Sequence, residues 1–235
     1  MSLRHAIIAS AELLAAAGAG LSVAHGGEPR EPLLASGPVA EDLAELQFTL
    51  GEGPSVDATT RRSPVLVPDL AGASAHSRWP LFAPAATDAG VRAMFAFPVT
   101  AGAALVGVLD VYRAEPGSLG PQELADALVL ADAVLVLALD ERGGIASDLD
   151  NLLDIAVSSR RAPVHQATGM VAAQLGVPMT DALAALRAYA YTEGRRLSDV
   201  AADVLARKVR LSPSSPSGPC TTERDDSGSP GNQEE

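Results

Sequence analysis

The sequence predicts an α+β domain followed by an all-helical C-terminal part, and three observations lead to this prediction. Strand candidates alternate with helix candidates over the first 120 residues and end in a strand–turn–strand pair. A heptad repeat of Leu and Ala then begins near residue 124. Three short helical segments follow between residues 160 and 211. The 235 residues suffice for two compact domains, and the 47% apolar content can fill their cores.

The first domain, residues 1–140, is predicted to be an antiparallel sheet flanked by helices. A packed first helix is favoured over a signal peptide for two reasons. Apolar residues recur at helical spacing from Leu3 to Leu14, and Glu12 lies inside the continuous apolar region that a signal peptide would need. Residues 51–54, which contain two glycines and a proline, are interpreted as a break in secondary structure. A membrane-spanning helix needs about 20 consecutive apolar residues, and the sequence contains no such run. We therefore expect a cytoplasmic protein. The strand candidates are 20–25, 32–36, 64–70, 91–100 and 104–113, and the next helix candidates are 39–50 and 78–89.

The heptad repeat connects the two parts of the chain. It continues beyond Gly143 and Gly144 in the same phase, so residues 141–158 are predicted to be a coiled-coil linker in a homodimer. A helix that packs on its own sheet is the alternative, and both interpretations can hold for different halves of the helix. The a and d positions are Leu124, Leu128, Ala131, Leu135, Ala138, Ile145, Leu149, Leu152 and Ala156.

Charge is distributed unevenly along the chain. The formal net charge is −12, which argues against nucleic-acid binding over the whole surface. Residues 155–211 nevertheless contain eight basic and four acidic side chains, and seven of the eight are Arg. A general preference of the genome for Arg is an alternative origin of the Arg bias, but it does not explain the change of sign. Arg suits forked hydrogen bonding to phosphates and bases.

Three helices are predicted in this basic stretch. The first covers residues 163–175 and ends before Gly176; the second begins at Thr180, a candidate N-cap, and stops at Gly194. The third covers residues 199–209, with Ser198 as its candidate cap. Residues 212–235 are rich in Ser, Pro, Gly and acidic side chains, so a disordered tail is predicted.

The helical stretch, residues 159–211, resembles an ANTAR domain, the RNA-binding module of transcription antitermination regulators of the AmiR and NasR type. The resemblance implies an RNA-binding three-helix domain. One departure is Thr168, at a position where Lys is frequent in the family. The motifs that carry the resemblance are Ser159-Arg160, His165-Gln-Ala-Thr-Gly-Met170, Thr180-Asp-Ala-Leu-Ala-Ala-Leu-Arg-Ala-Tyr-Ala190 and Arg196-Leu-Ser-Asp-Val-Ala-Ala202.

The upstream residues resemble a GAF domain, which implies a sensory domain for a signal or partner. The chain lacks the bilin-attachment cysteine and the Asn-Lys-Phe-Asp-Glu signature of cyclic-nucleotide GAF domains, so neither ligand class is expected. The motifs that carry the resemblance are Leu46-Gln-Phe-Thr-Leu-Gly-Glu-Gly-Pro54, Val67-Pro-Asp-Leu70, Arg78-Trp-Pro80, Phe95-Ala-Phe-Pro-Val99 and Gly107-Val-Leu-Asp110.

Cations and one aromatic ring in the helical stretch are candidates for contact with RNA loops. Arg187 and Tyr191 are four residues apart and share a helix face, which suits a phosphate or base contact beside a stacking ring. Each has an alternative: Arg187 in an ion pair with Asp181 or Asp199, and Tyr191 in the core. The predicted RNA-binding residues are Arg160, Arg161, His165, Gln166, Arg187, Tyr191, Arg195 and Arg196.

Nothing in the sequence predicts catalysis. The four histidines are scattered without metal-ligand spacing, and the single Cys220 excludes both a disulfide framework and a cysteine zinc cluster. No nucleophile elbow or Cys–His pairing is found. We therefore expect no enzyme activity, no metal and no cofactor.

The scarce aromatic residues of the first domain are candidates for a ligand pocket, because large apolar side chains suit small-molecule sites. The alternative is that they only fill the core, as strand alternation requires for some of them. The residues are Trp79, Phe82, Phe95, Phe97 and Tyr112.

The favoured hypothesis is a homodimeric antitermination regulator that senses an unidentified small-molecule or protein ligand through the GAF domain and binds RNA hairpin loops through the ANTAR domain. The alternative is a signalling or interaction scaffold whose helical C-terminal part serves dimerisation only.

Overall fold

The computed structural model describes residues 2–25, 28–140 and 161–212. The predicted linker, residues 141–158, lies outside the described residues, and so does the predicted tail from residue 213 onwards. In chain order the elements are α1 (Leu3–Leu13), β1 (Gly18–His25), β2 (Glu28–Ala35), α2 (Pro38–Leu50), α3 (Pro54–Arg61), β3 (Val65–Val67), α4 (Ala73–Arg78), α5 (Phe82–Asp88), β4 (Ala93–Ala101), β5 (Ala104–Arg113), α6 (Pro121–Asp140), α7 (Arg161–Leu175), α8 (Met179–Thr192) and α9 (Leu197–Leu205).

The strands form one antiparallel sheet in the order β2-β1-β5-β4-β3, which confirms the predicted α+β class. Strands β4 and β5 form the central hairpin, and Gly102 supplies the positive φ of 60° that its tight turn requires. Gly107 lies opposite Val23 of β1, where the two backbones come close. A Cβ at Gly107 would lie 2.4 Å from the carbonyl oxygen of Ser22.

The two faces of the sheet carry separate apolar clusters. Helices α1 and α6 cover one face, where Phe95 and Phe97 are fully buried. Helices α2 to α5 cover the other face, where Trp79, Phe82 and Tyr112 are buried. The division follows from strand alternation, because residues two apart point to the same face. Tyr112 pairs with Met94 rather than with Phe95, and so faces the second cluster.

Helix α6 packs mainly on its own sheet. Its residues Ala127, Ala131 and Val134 are at most 4% exposed, and Leu135 packs partly against the same cluster. Of the predicted a and d positions on α6, Ala131 is buried, and Leu124, Leu135 and Ala138 pack partly against the same cluster, as in the alternative interpretation for this half of the repeat. Leu128, also a predicted a or d position, does not. A second apolar row on α6 is solvent-exposed: Leu128 (44%), Val129 (66%) and Val136 (63%).

The C-terminal helices α7, α8 and α9 share a third apolar cluster, which includes the fully buried Ala167, Leu186 and Val200 and also Phe48 of α2. Two predicted caps are wrong. Helix α8 begins at Met179 after Pro178, and α9 begins at Leu197 after Arg196, so neither Thr180 nor Ser198 precedes its helix. Leu197 is apolar and fully buried. Its packing in the helical core accounts for a start of α9 two residues earlier than the capping pattern indicated.

Three differences concern the segment before β4. Helix α3, Pro54–Arg61, was not predicted, because Gly51 to Pro54 was interpreted as a break alone. The predicted helix 78–89 corresponds to α5, which starts only at Phe82, after Pro80. Helix α4, which ends at Arg78, precedes it and was not predicted.

Among the described residues, no single helix is long and apolar enough to cross a membrane. Helices α7 and α8 satisfy the length and composition criteria only together, and they are bent by 103° relative to each other.

Candidate nucleic-acid interface

Four of the predicted RNA-binding residues lie between positions 160 and 166 of the sequence. Arg160 lies outside the described residues, and Arg161 is the first residue of the helix. His165 and Gln166 are exposed, while Val164 on the preceding position is buried. His165 and Gln166 are therefore adjacent polar side chains on the solvent side of α7.

Thr168 does not belong to this exposed side. It is 3% exposed, and its hydroxyl donates a hydrogen bond of 2.7 Å to the carbonyl oxygen of Val164. Its neighbour Ala167 is fully buried. Position 168 therefore faces the helical core, so Thr168 does not leave a gap in a row of exposed cations.

The two tyrosines of helix α8, Tyr189 and Tyr191, differ in their exposure. Tyr191 is 43% exposed, whereas Tyr189 packs partly against the C-terminal cluster. Tyr191 thus has a ring face available for stacking, and Tyr189 contributes mainly to the core. Arg187, one turn before Tyr191, is half-buried.

Arg187 lies against the first domain. A Cβ built on Gly51, the residue after α2, would lie 2.7 Å from Nη1 of Arg187. Gly51 has a φ of 69°, where a residue with a side chain is disfavoured. The glycine at this position thus ends α2 and also leaves room for the guanidinium.

Arg195 and Arg196 both contact carboxylates. Nη2 of Arg195 is 2.6 Å from Oδ2 of Asp203 within the helical part. Hydrogen bonding by Arg195 holds the pKa of Asp203 below its usual value. Arg196 reaches α2 instead, with 3.3 Å from its Nη1 to Oε1 of Glu41 and 3.2 Å from its Nη2 to Oδ1 of Asp42.

Glu45 on the same face of α2 forms a third contact with the helical part. Its carboxylate lies near the backbone N–H groups of Leu197 and Ser198, at the start of α9, and its Oε1 is buried without a hydrogen-bond partner among the described residues. Glu45 is thus an acidic group beside the N-terminus of α9, whose first N–H groups lack intrahelical partners. Burial raises the pKa of Glu45, and Arg196 partly opposes this shift.

An apolar contact and a cleft complete the junction. Phe48 of α2 is 8% exposed and belongs to the same apolar cluster as the C-terminal helices. A cleft of about 360 Å³ lies between α2 and residues 190–196. Its lining residues are Asp42, Glu45, Leu46, Thr49, Ala190, Tyr191, Gly194, Arg195 and Arg196.

Three arrangements are thus found among the predicted RNA-binding residues whose side chains the structure describes: an open surface or cleft, contact with the first domain and, for Arg195, contact with Asp203 inside the helical part. His165 and Gln166 lie on an open helix surface, and Tyr191 borders the cleft. Arg187 and Arg196 contact the first domain, through Gly51 and through the carboxylates of α2. Sequence reasoning did not single out the acidic face of α2, although Glu41, Asp42 and Glu45 follow each other at helical spacing opposite its apolar face.

The five predicted pocket residues do not surround one cleft. Phe95 and Phe97 belong to the cluster under α1 and α6, and the other three belong to the cluster on the opposite face of the sheet. All five are at most 5% exposed. Among the described residues, no group of three or more His, Cys, Asp or Glu is arranged to hold a metal ion.

Comparisons with known proteins match both parts of the chain. A family model described as GAF domain matches residues 3–136, and one described as ANTAR domain matches residues 156–205. No curated protein matches the chain.

Several solved structures are similar to it. The GAF domain of a phosphoenolpyruvate-protein phosphotransferase from Coxiella burnetii is 18% identical, with 57% of this chain and 78% of that chain covered and a TM-score of 0.47. The corresponding Acinetobacter domain is 15% identical, with 58% and 82% covered and a TM-score of 0.46. The second GAF domain of DevS from Mycobacterium smegmatis is 15% identical, with 57% and 88% covered and a TM-score of 0.41.

Proposed function

We propose that this chain, which belongs to the GAF domain family and carries an ANTAR domain, is a cytoplasmic, non-catalytic regulator that binds RNA hairpin loops and controls transcription antitermination. In this proposal the GAF domain senses a signal and the ANTAR domain contacts the RNA. The observation that carries it is an ANTAR match over a stretch with an excess of cations in an otherwise acidic chain.

The exposed side chains of the ANTAR domain suit looped RNA. Unpaired bases in loops stack on aromatic rings and Arg planes, while cations contact phosphates. Tyr191 offers an exposed ring, and His165 and Gln166 offer polar groups on the neighbouring helix α7. Arg187 is one helical turn from Tyr191, and Arg195 and Arg196 follow in the next loop.

A titration of the full-length protein with a tandem-hairpin RNA in rising salt tests this proposal. Because Arg contacts to phosphates release counterions, the logarithm of the affinity should fall linearly with the logarithm of the salt concentration. Arg187→Ala should weaken binding and reduce this slope by about one. Arg210→Ala, an equal charge change on an exposed residue outside the predicted surface, is the matched control. Undetectable binding at low salt would refute the proposal.

We also propose that two copies of the chain pair through α6 and its continuation. The exposed row of Leu128, Val129 and Val136 is apolar surface that a second helix would cover. Light scattering tests the pairing: wild type should have the mass of a dimer, and Val129→Asp/Val136→Asp should have that of a monomer. A monomeric wild type would refute it.

A second candidate function is a scaffold in which the helical part serves assembly only. The observation in its favour is that Arg195 and Arg196 already contact carboxylates in the structure. The variant Arg187→Ala/Arg195→Ala separates the two candidates. Lost RNA binding with an unchanged mass supports the regulator, whereas a changed mass in a protein that never binds RNA supports the scaffold.

The ligand of the GAF domain is a separate proposal, for which native mass spectrometry of the purified protein is the direct test. A retained small molecule would appear as an added mass that disappears on denaturation. A protein ligand would instead leave the mass of the purified chain unchanged and be recovered as a complex.

A further inference from the structure

We infer that helix α2 of the GAF domain is a competitor of RNA that the chain itself carries, and that the described arrangement is a closed state in which α2 occupies part of the RNA-binding surface. This inference rests on the proposed RNA binding by the ANTAR domain. The competitor is defined by three carboxylates of α2, Glu41, Asp42 and Glu45, together with Phe48.

Helix α2 contacts the same groups that RNA would use. Arg196 pairs with Glu41 and Asp42, and Arg187 lies against Gly51 at the end of α2. Two closely spaced carboxylates in front of a guanidinium present anionic oxygens much as a phosphate does. A phosphate and these carboxylates cannot occupy the same side of Arg196 at once.

A third carboxylate of α2 lies near the start of α9. A helix N-terminus attracts anions because its first N–H groups are unpaired and its dipole is positive there. Glu45 lines the cleft together with Arg196, and it is close enough to the backbone N–H groups of Leu197 and Ser198 for them to oppose the rise in its pKa that burial causes. While α2 is docked, an RNA phosphate would have to displace this carboxylate to reach the N-terminus of α9.

The contact between α2 and the C-terminal helices is suited to opening. The paired side chains of Arg196, Glu41 and Asp42 are 47%, 50% and 67% exposed, and such pairs contribute little to stability. Phe48 is the largest apolar side chain that α2 contributes to the junction. Polar junctions between domains of one chain resemble transient protein interfaces.

Helix α2 is also connected to the centre of the GAF domain. On its inner side, Oε1 of Gln47 accepts a hydrogen bond of 2.8 Å from the backbone N–H of Ser55. The hydroxyl of Ser55 donates a hydrogen bond of 2.5 Å to Oδ2 of Asp110 on β5, in the middle of the sheet. A change in the GAF core that shifts α2 would therefore shift the competitor as well, which gives the sensory domain a means of controlling RNA binding.

The inference is tested by comparing three full-length proteins in titrations with the tandem-hairpin RNA at one salt concentration. They are wild type, Glu41→Gln/Asp42→Asn, and the control Asp88→Asn/Glu115→Gln. The control residues are exposed, on α5 and after β5. Both double variants raise the net charge by the same amount, so long-range attraction of RNA changes equally in both.

We expect Glu41→Gln/Asp42→Asn to bind RNA about threefold to tenfold more tightly than the control variant, which corresponds to two weak surface pairs lost from the closed state. Equal affinities of the two double variants would overturn the inference and leave the proposed function standing. No binding by any of the three proteins at low salt would instead refute the proposed function.

A second measurement observes α2 directly. The chain has four phenylalanines, of which Phe48 lies at the junction and the other three lie inside the GAF clusters. In protein labelled with 4-fluorophenylalanine, saturating RNA should shift the ¹⁹F resonance of Phe48 towards the solvent-exposed value and leave the other three in place. Phe48→Leu assigns the resonance. A Phe48 resonance that stays buried in the saturated complex would overturn the inference.

Discussion

Replacing Phe48 by Ala measures how strongly the two domains are held together. The side chain is 92% buried, since its exposed fraction is 8%, and the cluster it joins consists otherwise of ANTAR residues. Burying a Phe side chain contributes roughly 1.5–3 kcal/mol. We expect Phe48→Ala to reduce the free energy of unfolding by about 2 kcal/mol. The additional cost of a cavity in a rigid core does not arise, because the cavity disappears when the two domains separate.

The loss should fall on the ANTAR domain. For a domain of its size, about 2 kcal/mol lowers the unfolding midpoint by on the order of 10 °C. Differential scanning calorimetry of Phe48→Ala should therefore show an early transition that is absent from wild type, followed by the GAF transition near its original temperature. Peptide-resolved hydrogen exchange should assign the early transition to helices α7 to α9.

One further result would support this role of Phe48, and another would refute it. Phe48→Leu keeps most of the buried apolar area, so its early transition should lie between those of Ala and wild type. A single transition in Phe48→Ala that keeps its shape and moves down as a whole would refute the reasoning. In that case Phe48 would stabilise the GAF domain itself rather than its contact with the ANTAR domain.

Three further predictions concern the sheet, acid stability and the RNA surface. Gly107→Ala should destabilise the GAF domain by about 1–3 kcal/mol in urea unfolding, because its Cβ would meet the carbonyl oxygen of Ser22; an unchanged midpoint would contradict this. Hydrogen bonds from Gly120 and Arg113 lower the pKa of Glu123, so Glu123 contributes stability that is present above its ordinary pKa and is lost as the pH falls through the lowered value. Glu123→Gln should accordingly flatten the fall in unfolding free energy below pH 5, and a curve parallel to wild type would contradict this. Tyr191→Ala should weaken RNA binding by about 1–3 kcal/mol with an unchanged salt slope, because it removes stacking and no charge.

The sheet and most helices of the GAF domain could be predicted from local pattern. The predicted hairpin strands 91–100 and 104–113 correspond to β4 and β5, and the predicted helix 39–50 corresponds to α2. These segments have strong periodicity, and tight turns or glycines bound them. The fold class therefore depends on signals that lie within a few residues of each other.

Helix α3 was missed because its start resembles a stop. Gly53 followed by Pro54 breaks any preceding element, but Pro is also favoured at the first position of a helix. The helix itself holds Thr and Asp residues of modest helix propensity. Its stability comes from tertiary contacts, such as the buried Ser55 that bonds to Asp110 on β5. No pattern within the segment reports such a contact.

The ANTAR surface shows the same limit at longer range. Sequence placed Arg187, Tyr191 and Arg196 on or beside the second helix of the domain, where the structure has them. It did not predict that Arg196 faces Glu41, because these residues are 155 positions apart and each has other acidic or basic candidates nearby. The side-chain pairing follows from how the domains pack, and local spacing carries no information about that.

The reversal of charge along the chain accounts for the contacts of Arg196 with Glu41 and Asp42. A cationic ANTAR domain attracts any anionic surface, and the nearest one belongs to the acidic part of the same chain. Intramolecular contact has the advantage of a high effective concentration, so even weak ion pairs can hold α2 in place. In the proposed mechanism, an RNA with several phosphates and stacking bases would gain more contacts than α2 offers and would displace the helix despite that advantage. Docking of α2 and binding of RNA would then be two uses of one electrostatic surface, so we expect that weakening the first strengthens the second.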